Sequence, residues 1–277
     1  MAVTEALSTV RSIADAARTV DGAAPLDEAT LLTLRHRPDT VRSWVEDDGF
    51  ALLIGSELSL VVRPAARGRG VATRLLDAVL AETADTPAAL TAWSHGNQPA
   101  AAALAGSHGF RPTRELWVMR RPMSEPLPPL PAPPAGVDLR GFASGDEAEL
   151  LRVNAAAFAH HPEQGSLSLD GLRERMAEPW FEPDGLIEAW SGSTLLGFHW
   201  TKRHSPTLGE VYVVGIDPSA QGRGLGRLLT LAGLHHLTDV AEVHLYVEAD
   251  NTPAVRLYSG LGFTHAPVDT HVQFTRP

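Results

Sequence analysis

Two segments of this chain, 154 positions apart, are built to one plan. Leu60-Val61-Val62-Arg63-Pro64-Ala65-Ala66-Arg67-Gly68-Arg69-Gly70-Val71-Ala72-Thr73 leads into Leu75-Leu76. Val214-Gly215-Ile216-Asp217-Pro218-Ser219-Ala220-Gln221-Gly222-Arg223-Gly224-Leu225-Gly226-Arg227 leads into Leu228-Leu229. Pro64 answers Pro218 and Gly70 answers Gly224 at that spacing. Further on, Asn97-Gln98-Pro99-Ala100-Ala101 answers Asn251-Thr252-Pro253-Ala254-Val255 at 154, and Gly109-Phe110 answers Gly262-Phe263 at 153. Solenoid repeats run about 20–50 residues, so a period this long marks a duplicated domain. At 277 residues the chain has room for two domains, and a hydrophobic fraction of 44% supplies two cores.

Between the copies lies Pro122-Met123-Ser124-Glu125-Pro126-Leu127-Pro128-Pro129-Leu130-Pro131-Ala132-Pro133-Pro134-Ala135-Gly136. Proline fixes φ and lacks an N–H, so this stretch fits neither a helix nor a central strand. It is expected to run as a semi-rigid polyproline II spacer of about 3 Å per residue. A ligand for an SH3-type module is the functional alternative. The expected organisation is a first domain over 1–121, a linker over 122–136 and a second domain over 137–277.

Each copy reads as a β-branched strand, a proline stop, a glycine-rich loop and a helix, predicted over Leu225–Leu237 in the second. A glycine-rich loop entering a helix turns backbone N–H groups outward at the positive end of the helix dipole, where a phosphate is favoured. Arg223 and Arg227 add charge beside it. A plain tight turn is the alternative. The spacing excludes two other phosphate loops. A Rossmann loop needs G-x-G-x-x-G directly after its strand, and a P-loop needs a following Gly-Lys-Ser/Thr, and neither is present.

Composition narrows the partners. Net charge of −10 argues against nucleic acid and anionic membranes. No stretch approaches 18 apolar residues, so no membrane span is expected. Met1 to Val20 spaces Glu5, Arg11, Asp15 and Arg18 among Ala and Leu, which fits an amphipathic helix better than a signal peptide. With no cysteine there is no disulfide framework and no thiolate chemistry. A cytoplasmic monomer is the expectation. The pairs His160-His161 and His235-His236 lack His-x₃-His spacing, so structural or surface roles and no metal are expected.

In the second half the residues predict strands over Val137–Phe142, Leu186–Trp190, Leu195–Thr201, Glu210–Ile216, Val243–Glu248 and His271–Thr275. Helices are predicted over Gly145–Ala159, Leu169–Met176 and Thr252–Leu261, the last capped by Asn251. The pattern Gln-x-x-Gly-x-Gly between such a strand and helix resembles the coenzyme A pyrophosphate loop of the GNAT N-acetyltransferase superfamily. The order β-α-α-β-β-β-α-β-α-β is similar to that of its domain. The resemblance implies an α/β fold of two tandem GNAT domains, each a mixed β-sheet flanked by helices, with acetyl-CoA as co-substrate.

The same resemblance implies where the donor sits. Val214, Gly215 and Ile216 would pair with the pantetheine arm where the strand bulges and splays. Gly215 suits this, because a strand glycine often marks a bulge or close approach of another chain, and a plain strand glycine is the alternative. Gln221, Gly222, Arg223, Gly224, Leu225, Gly226 and Arg227 would hold the pyrophosphate, with Asn251 also at the cofactor. The counterparts in the first half are Leu60, Val61, Val62, Gly68, Arg69, Gly70, Val71, Ala72 and Thr73.

The implied reaction is attack of an amine on a thioester. An amine protonated at neutral pH must first lose a proton to a base. Glu210 shares a strand face with Val214 and is the expected base, its pKa raised beside an apolar cleft; a solvent-facing strand residue is the alternative. Tyr258, in Leu257-Tyr258-Ser259-Gly260-Leu261-Gly262-Phe263, would return a proton to the departing thiolate; an ordinary core tyrosine is the alternative.

A closer resemblance covers the whole chain. The runs Asn154–Gly165, Phe198–Lys202, Gly209–Pro218 and Leu245–Asn251 are similar to tandem-domain actinobacterial members of the superfamily. These acetylate the cysteinyl amine of a 1-O-glucosaminyl-inositol conjugate. The resemblance implies acceptor contacts at Glu163, Lys202, Glu210 and Glu28, in the cleft between domains. Carboxylates and a lysine can hold a polyhydroxylated ammonium by charge-assisted bonds. For Glu28 a helix N-terminal acid is the alternative. In the first half Ser56 stands for Glu210 and Leu104 for Tyr258, and only Phe50–Gly55 and Leu58–Val62 are expected as strands before the loop. That half reads as a degenerate scaffold. Two other readings stay open: acetylation of another small amine such as an aminoglycoside, and an acyl-CoA sensor without turnover.

Overall fold

The computed structural model describes the backbone of residues 3–84 and 88–277, and the side chains of these except residues 3–6, 162 and 163. The first copy runs α1 (Val3–Asp21), α2 (Glu28–His36), β1 (Arg42–Glu46), β2 (Gly49–Ile54), β3 (Glu57–Val62), α3 (Val71–Thr83), β4 (Leu90–Ser94), α4 (Pro99–Ser107) and β5 (Arg111–Pro122). The second runs β6 (Asp138–Gly141), α5 (Glu147–Ala157), α6 (Pro162–Gly165), α7 (Leu169–Met176), β7 (Leu186–Ser191), β8 (Thr194–Ser205), β9 (Leu208–Ile216), α8 (Leu225–His236), β10 (Glu242–Glu248), α9 (Thr252–Ser259) and β11 (Thr264–Arg276). The predicted element order of the second half is thus present, with the short α6 added.

Two compact units emerge. One holds the chain up to Trp117 together with Glu248–Asp250 and Ala266–Pro277; the other holds Val118–Val247 and Asn251–His265. The units and the sequence halves therefore differ at their ends. The C-terminal part of β11 pairs antiparallel with β4, from Val272 opposite Ser94 to Arg276 opposite Leu90. The division 1–121, 122–136 and 137–277 stands as our proposal for the duplicated halves.

In the first unit, antiparallel β1-β2-β3 meets β4 in parallel at Glu57–Leu58. Three strands thus precede the first loop, not two. Arg42-Ser43-Trp44-Val45-Glu46 turns at Asp47-Asp48 and pairs along all of β2, a strand hidden in the sequence by its polar flanks. Period-two alternation on β2 sends Phe50 and Leu52 to α1, through Val10, Ile13 and Ala17. Ala51 and Leu53 go to α3, through Leu75, Leu76 and Val79. Both faces are covered, as a central strand requires.

The second unit repeats this arrangement in the order β10-β9-β8-β7-β6. Ile187, Ala189 and Leu196 pack on Leu225, Leu228 and Leu229 of α8. Leu186, Phe198, Trp200 and Val213 pack on Leu150 and Val153 of α5 and Leu172 of α7. The proline stretch has no regular secondary structure over 126–134, and its first residues are tied down by Arg121. That buried guanidinium donates to the carbonyls of Leu261, Glu125 and Pro126 at 2.8, 3.0 and 3.1 Å.

His199 shows how closely α8 lies on the sheet. It is fully buried, with Nδ1 2.8 Å from the carbonyl of Leu229, and burial pushes its pKa down to about 4. A Cβ on Gly233 would fall 2.0 Å from its Cε1. Gly→Ala inside a helix ordinarily stabilises by about 0.5–1 kcal/mol. Here Gly233→Ala should destabilise by about 1–3 kcal/mol through overpacking, measured as a lower urea midpoint with unchanged slope.

Candidate active site

The glycine loop has the geometry that phosphate recognition needs. A 3-10 turn over Pro218–Ala220 follows β9, and Gly222 and Gly224 then take φ of 75° and 79°, left-handed values that glycine adopts without strain. Gly224 caps α8, and the first intrahelical bond runs from Leu228 N–H to the Gly224 carbonyl at 3.1 Å. The N–H groups of Leu225, Gly226 and Arg227 lie ahead of that bond and have no intrahelical acceptor. Arg223 and Arg227 are exposed beside them. The root of the loop is braced. Asp217 accepts from Ser219 N–H and Oγ and, at 2.5 Å, from Arg152, which hold its pKa down at about 2. Arg152 in turn binds Glu149 and the Leu195 carbonyl.

The first copy keeps the loop but not the brace. Gly68 and Gly70 have φ of 74° and 79°. Arg67, in place of Gln221, makes a two-pronged bond to Asp21 at 2.7 Å on each prong. Ser56, at the position answering Glu210, sits just before β3, and Leu104, answering Tyr258, lies in α4.

Strand β9 leaves its parallel neighbour. Pairing with β10 runs from Leu208 opposite Glu242 to Val211 opposite Leu245 and ends there, while pairing with β8 continues to Ile216 opposite Gly197. One edge of Val213–Ile216 is thereby turned away from β10. The bulge is at Tyr212, where the register with β8 shifts between Trp200 and Thr201, not at Gly215. A Cβ at Gly215 would meet the Phe198 ring at 2.7 Å, so glycine there makes room for Phe198. Asn251 caps α9, its Oδ1 accepting from Ala254 N–H at 3.2 Å.

At the other end of the strand, Glu210 is buried, 6% exposed, and sits between two cross-strand partners, Lys202 on β8 and His244 on β10. His204 Nε2 is 2.6 Å from Glu210 Oε2, and His244 Nε2 is 3.8 Å from the same oxygen. The two imidazole rings stack at 5.1 Å with 32° between planes. Burial by itself would raise the Glu210 pKa. The hydrogen bond from His204 and the charges of His244, His204 and Lys202 outweigh it and hold the carboxyl below its ordinary value. This corrects the expectation of a raised pKa, which considered the apolar strand but not the cations that flanking strands bring.

Lys202 is also buried, with Nζ 4.5 Å above the Trp180 ring and 5.0 Å from that of Tyr212. Trp180, Trp200 and Tyr212 pack against one another at 5.2–5.7 Å, and Arg175 donates to the Tyr212 hydroxyl at 3.0 Å. Tyr258 lies on α9, 9% exposed and packed on Phe263, and burial pushes its phenol up to about 12. It therefore keeps its proton at neutral pH. Glu28 opens α2 behind the Asp27 cap, whose carboxylate accepts from Thr30 N–H at 2.7 Å. Glu163 lies in α6, but its side chain is outside the described residues. The histidine pairs are structural in part: His235 meets the Pro128 carbonyl and His236 the Glu182 carboxylate, both at 2.9 Å.

His204, His244, Trp180 and Tyr212 escaped the sequence reading. One signal was available for His244: its counterpart in the first copy, 154 residues earlier, is Leu90, so an apolar strand position has become a histidine. The donor atoms of His204, Glu210 and His244 lie within 4.8 Å of one another, a spacing one divalent ion could span. Lys202 beside Glu210, and Arg120 near His244, already supply positive charge to this cluster. A further cation there would be opposed by like charge, and the cluster is better suited to handling protons.

The Acetyltransferase (GNAT) family model matches residues 156–263, and the Acetyltransferase (GNAT) domain model matches residues 34–112. The chain is 61% identical, over 98% of its length and 97% of the relative, to the mycothiol acetyltransferase of a Nocardioides species. It is 47% identical to that of Catenulispora acidiphila, over 96% of this chain and 95% of the relative. A solved tandem GNAT protein from the clavulanic acid biosynthesis pathway matches with a TM-score of 0.74 at 21% identity, over 98% of this chain and 94% of that one. A GCN5-related N-acetyltransferase from Sphaerobacter thermophilus matches at 0.68 and 21%, over 97% and 92%. These two structures bear on the fold, and the curated relatives bear on the family. With two GNAT domains in one chain and this identity along its whole length, the chain belongs to the mycothiol acetyltransferase family.

Proposed function

We propose that the protein transfers the acetyl group of acetyl-CoA to the cysteinyl amine of 1-O-(2-(L-cysteinylamido)-2-deoxy-glucopyranosyl)-myo-inositol, the final step of mycothiol biosynthesis. The observation that carries the reading is one strand, β9, with a buried, cation-flanked carboxylate near its start and a glycine loop at its end. The reading is supported by this arrangement: Glu210 lies where β9 still pairs with β10, and the loop follows the end of β9 that has left it.

In this reading Val214, Gly215 and Ile216 pair with the pantetheine arm. The loop from Gln221 to Arg227 binds the pyrophosphate, and Asn251 shapes the helix start beside the cofactor. Glu210 takes the ammonium proton, through a water if needed. The neutral nitrogen attacks the thioester carbonyl, the C–S bond breaks, and Tyr258 protonates the leaving thiolate. Lys202, Glu163 and Glu28 orient the hydroxyl-rich acceptor, Lys202 from within its aromatic surround. The first copy, with Leu60 to Val62 and Gly68 to Thr73 in the matching places, keeps a coenzyme A fold without turnover. The protein acts as a cytoplasmic, metal-free monomer on two small molecules. Among the described residues, no helix is long and apolar enough to cross a membrane.

Thiol release from acetyl-CoA, followed with the cysteinyl pseudo-disaccharide and with a panel of aminoglycosides and simple amines, tests the function. Preference for the pseudo-disaccharide in kcat/KM is expected. Equal rates with all amines would remove the acceptor assignment, and binding of acetyl-CoA with no turnover would make the protein a sensor. In the same assay Lys202→Ala should raise KM for the amine about tenfold, the loss of roughly one charge-assisted contact, with KM for acetyl-CoA unchanged. A loss of donor affinity alone would place Lys202 on the other ligand.

A further inference from the structure

The proposed base raises a problem of proton disposal. The overall change takes R–NH₃⁺ and acetyl-CoA to R–NH–acetyl, CoA–SH and one H⁺. Two protons leave nitrogen, one goes to sulfur, and one must reach water in every turnover. Glu210 is 7% exposed at its side chain, and its pKa is held low, so a proton placed on it is unstable there and has no direct path out. His204 touches it at 2.6 Å and is 35% exposed. Among the three clustered groups it alone faces solvent. His244 is 7% exposed, its pKa is lowered by burial, and its Nδ1 is buried with no hydrogen-bond partner.

We infer that His204 is the proton exit of the active site, taking the amine proton from Glu210 through Nε2 and releasing it to water. The inference rests on Glu210 being the base. The step balances: Glu210 carboxylate and R–NH₃⁺ give the carboxylic acid and R–NH₂. The acid and neutral His204 give carboxylate and imidazolium, and the imidazolium loses H⁺ to solvent. The amine then forms the C–N bond as the C–S bond breaks; Tyr258 gives its proton to the thiolate, and the second proton lost by nitrogen restores Tyr258. His204 never touches the reacting carbon and acts through Glu210. Its titration is set by the groups around it: Glu210 on β9, Lys202 on its own strand, and His244 on β10 with Arg120 and Glu242 beside that ring. His244, buried and with its pKa lowered by that burial, fills the inner side of the stack and leaves the outer, exposed ring as the carrier.

The test is the pH dependence of kcat at saturating substrates, with ¹⁵N-imidazole NMR of the same protein. The Glu210 carboxyl is held below its ordinary value and stays ionised across the neutral range, where imidazole is the side chain that ordinarily changes charge. Wild-type kcat should therefore rise through a limb in the imidazole range, as neutral His204 becomes able to receive a proton, and the NMR midpoint of His204 should coincide with it. His204→Gln keeps a hydrogen-bond donor toward Glu210 but cannot titrate. It should lower kcat by about 10²-fold, the lower end for a positioned proton-transfer group, and erase the limb. Added imidazole should restore rate in proportion to its free-base concentration. Loss of kcat that imidazole does not restore, or an unchanged limb in His204→Gln, would overturn the inference. So would a tetrahedral Co²⁺ absorption band at one equivalent that vanishes in His204→Gln. If Glu210→Gln were itself fully active, the base assignment would fail first, and the two failures are thus told apart.

Discussion

Glu210→Gln should lower kcat by about 10²–10⁴-fold while acetyl-CoA still binds, the range a positioned base contributes. The substitution preserves volume and a hydrogen bond to His204, so the three-strand cluster remains packed and the loss reports basicity. Its sign with pH follows from the groups around the carboxyl. His204, His244 and Lys202 hold the Glu210 pKa low, so the wild-type carboxylate is ionised throughout the neutral range and does not itself limit the rate there. Without it, residual turnover depends on amine that arrives unprotonated. The variant's rate should climb continuously into alkaline pH where the wild type has levelled. Isothermal titration with acetyl-CoA checks that donor binding survives. A variant with near-wild-type kcat at pH 7 would show that another group takes the proton.

The duplication, the loops and most of the elements were legible because each depends on local chemistry. Gly222 and Gly224 announce a left-handed turn that other residues adopt at a cost, and Pro218 marks the end of a strand. The cluster around Glu210 was not legible in the same way. His204 and His244 stand 6 residues before and 34 residues after it, and only the register of β8 and β10 brings them to one oxygen. Alternation tells which face a residue takes but not which strand lies beside it. The pKa expectation failed for that reason. It was drawn from the apolar neighbours of Glu210 along its own strand, while the cations that decide its ionisation come from Lys202, His204 and His244. The division of β11 was hidden too. Thr264–Arg276 reads as one strand, and no residue within it signals that Val272–Arg276 pairs with β4 of the first copy. Conversely, the strand glycine at Gly215 was read as a bulge or the close approach of another chain, whereas the bulge is at Tyr212 and a Cβ at Gly215 would meet the Phe198 ring.

Gly224→Glu should abolish turnover, and Gly70→Glu should leave it largely intact. The pair is informative because the two glycines have the same local structure. Each has φ of 79°, and each caps the helix that follows its loop, α8 and α3. A Cβ at Gly224 meets nothing within 4 Å, and at Gly70 only Arg74 Nη1 at 3.7 Å. Either variant therefore bears a similar backbone penalty, roughly 1–2 kcal/mol for a side chain forced into the left-handed region. An acidic side chain at a helix N-terminus offsets part of that, by about 0.3–1 kcal/mol. Matching thermal midpoints are expected for the two proteins. Function separates them. At position 224 the new carboxylate enters beside the N–H groups of Leu225, Gly226 and Arg227, where, in our proposal, it would take the place of the pyrophosphate. At position 70 it enters a loop whose copy has Ser56, in the turn before β3, in place of Glu210 and Leu104 of α4 in place of Tyr258. Gly224→Ala, carrying the strain without the charge, should fall between wild type and Gly224→Glu in its KM for acetyl-CoA. Equal loss of kcat/KM in folded Gly70→Glu and Gly224→Glu would mean that both loops serve the chemical step, and that the second copy alone is not the enzyme.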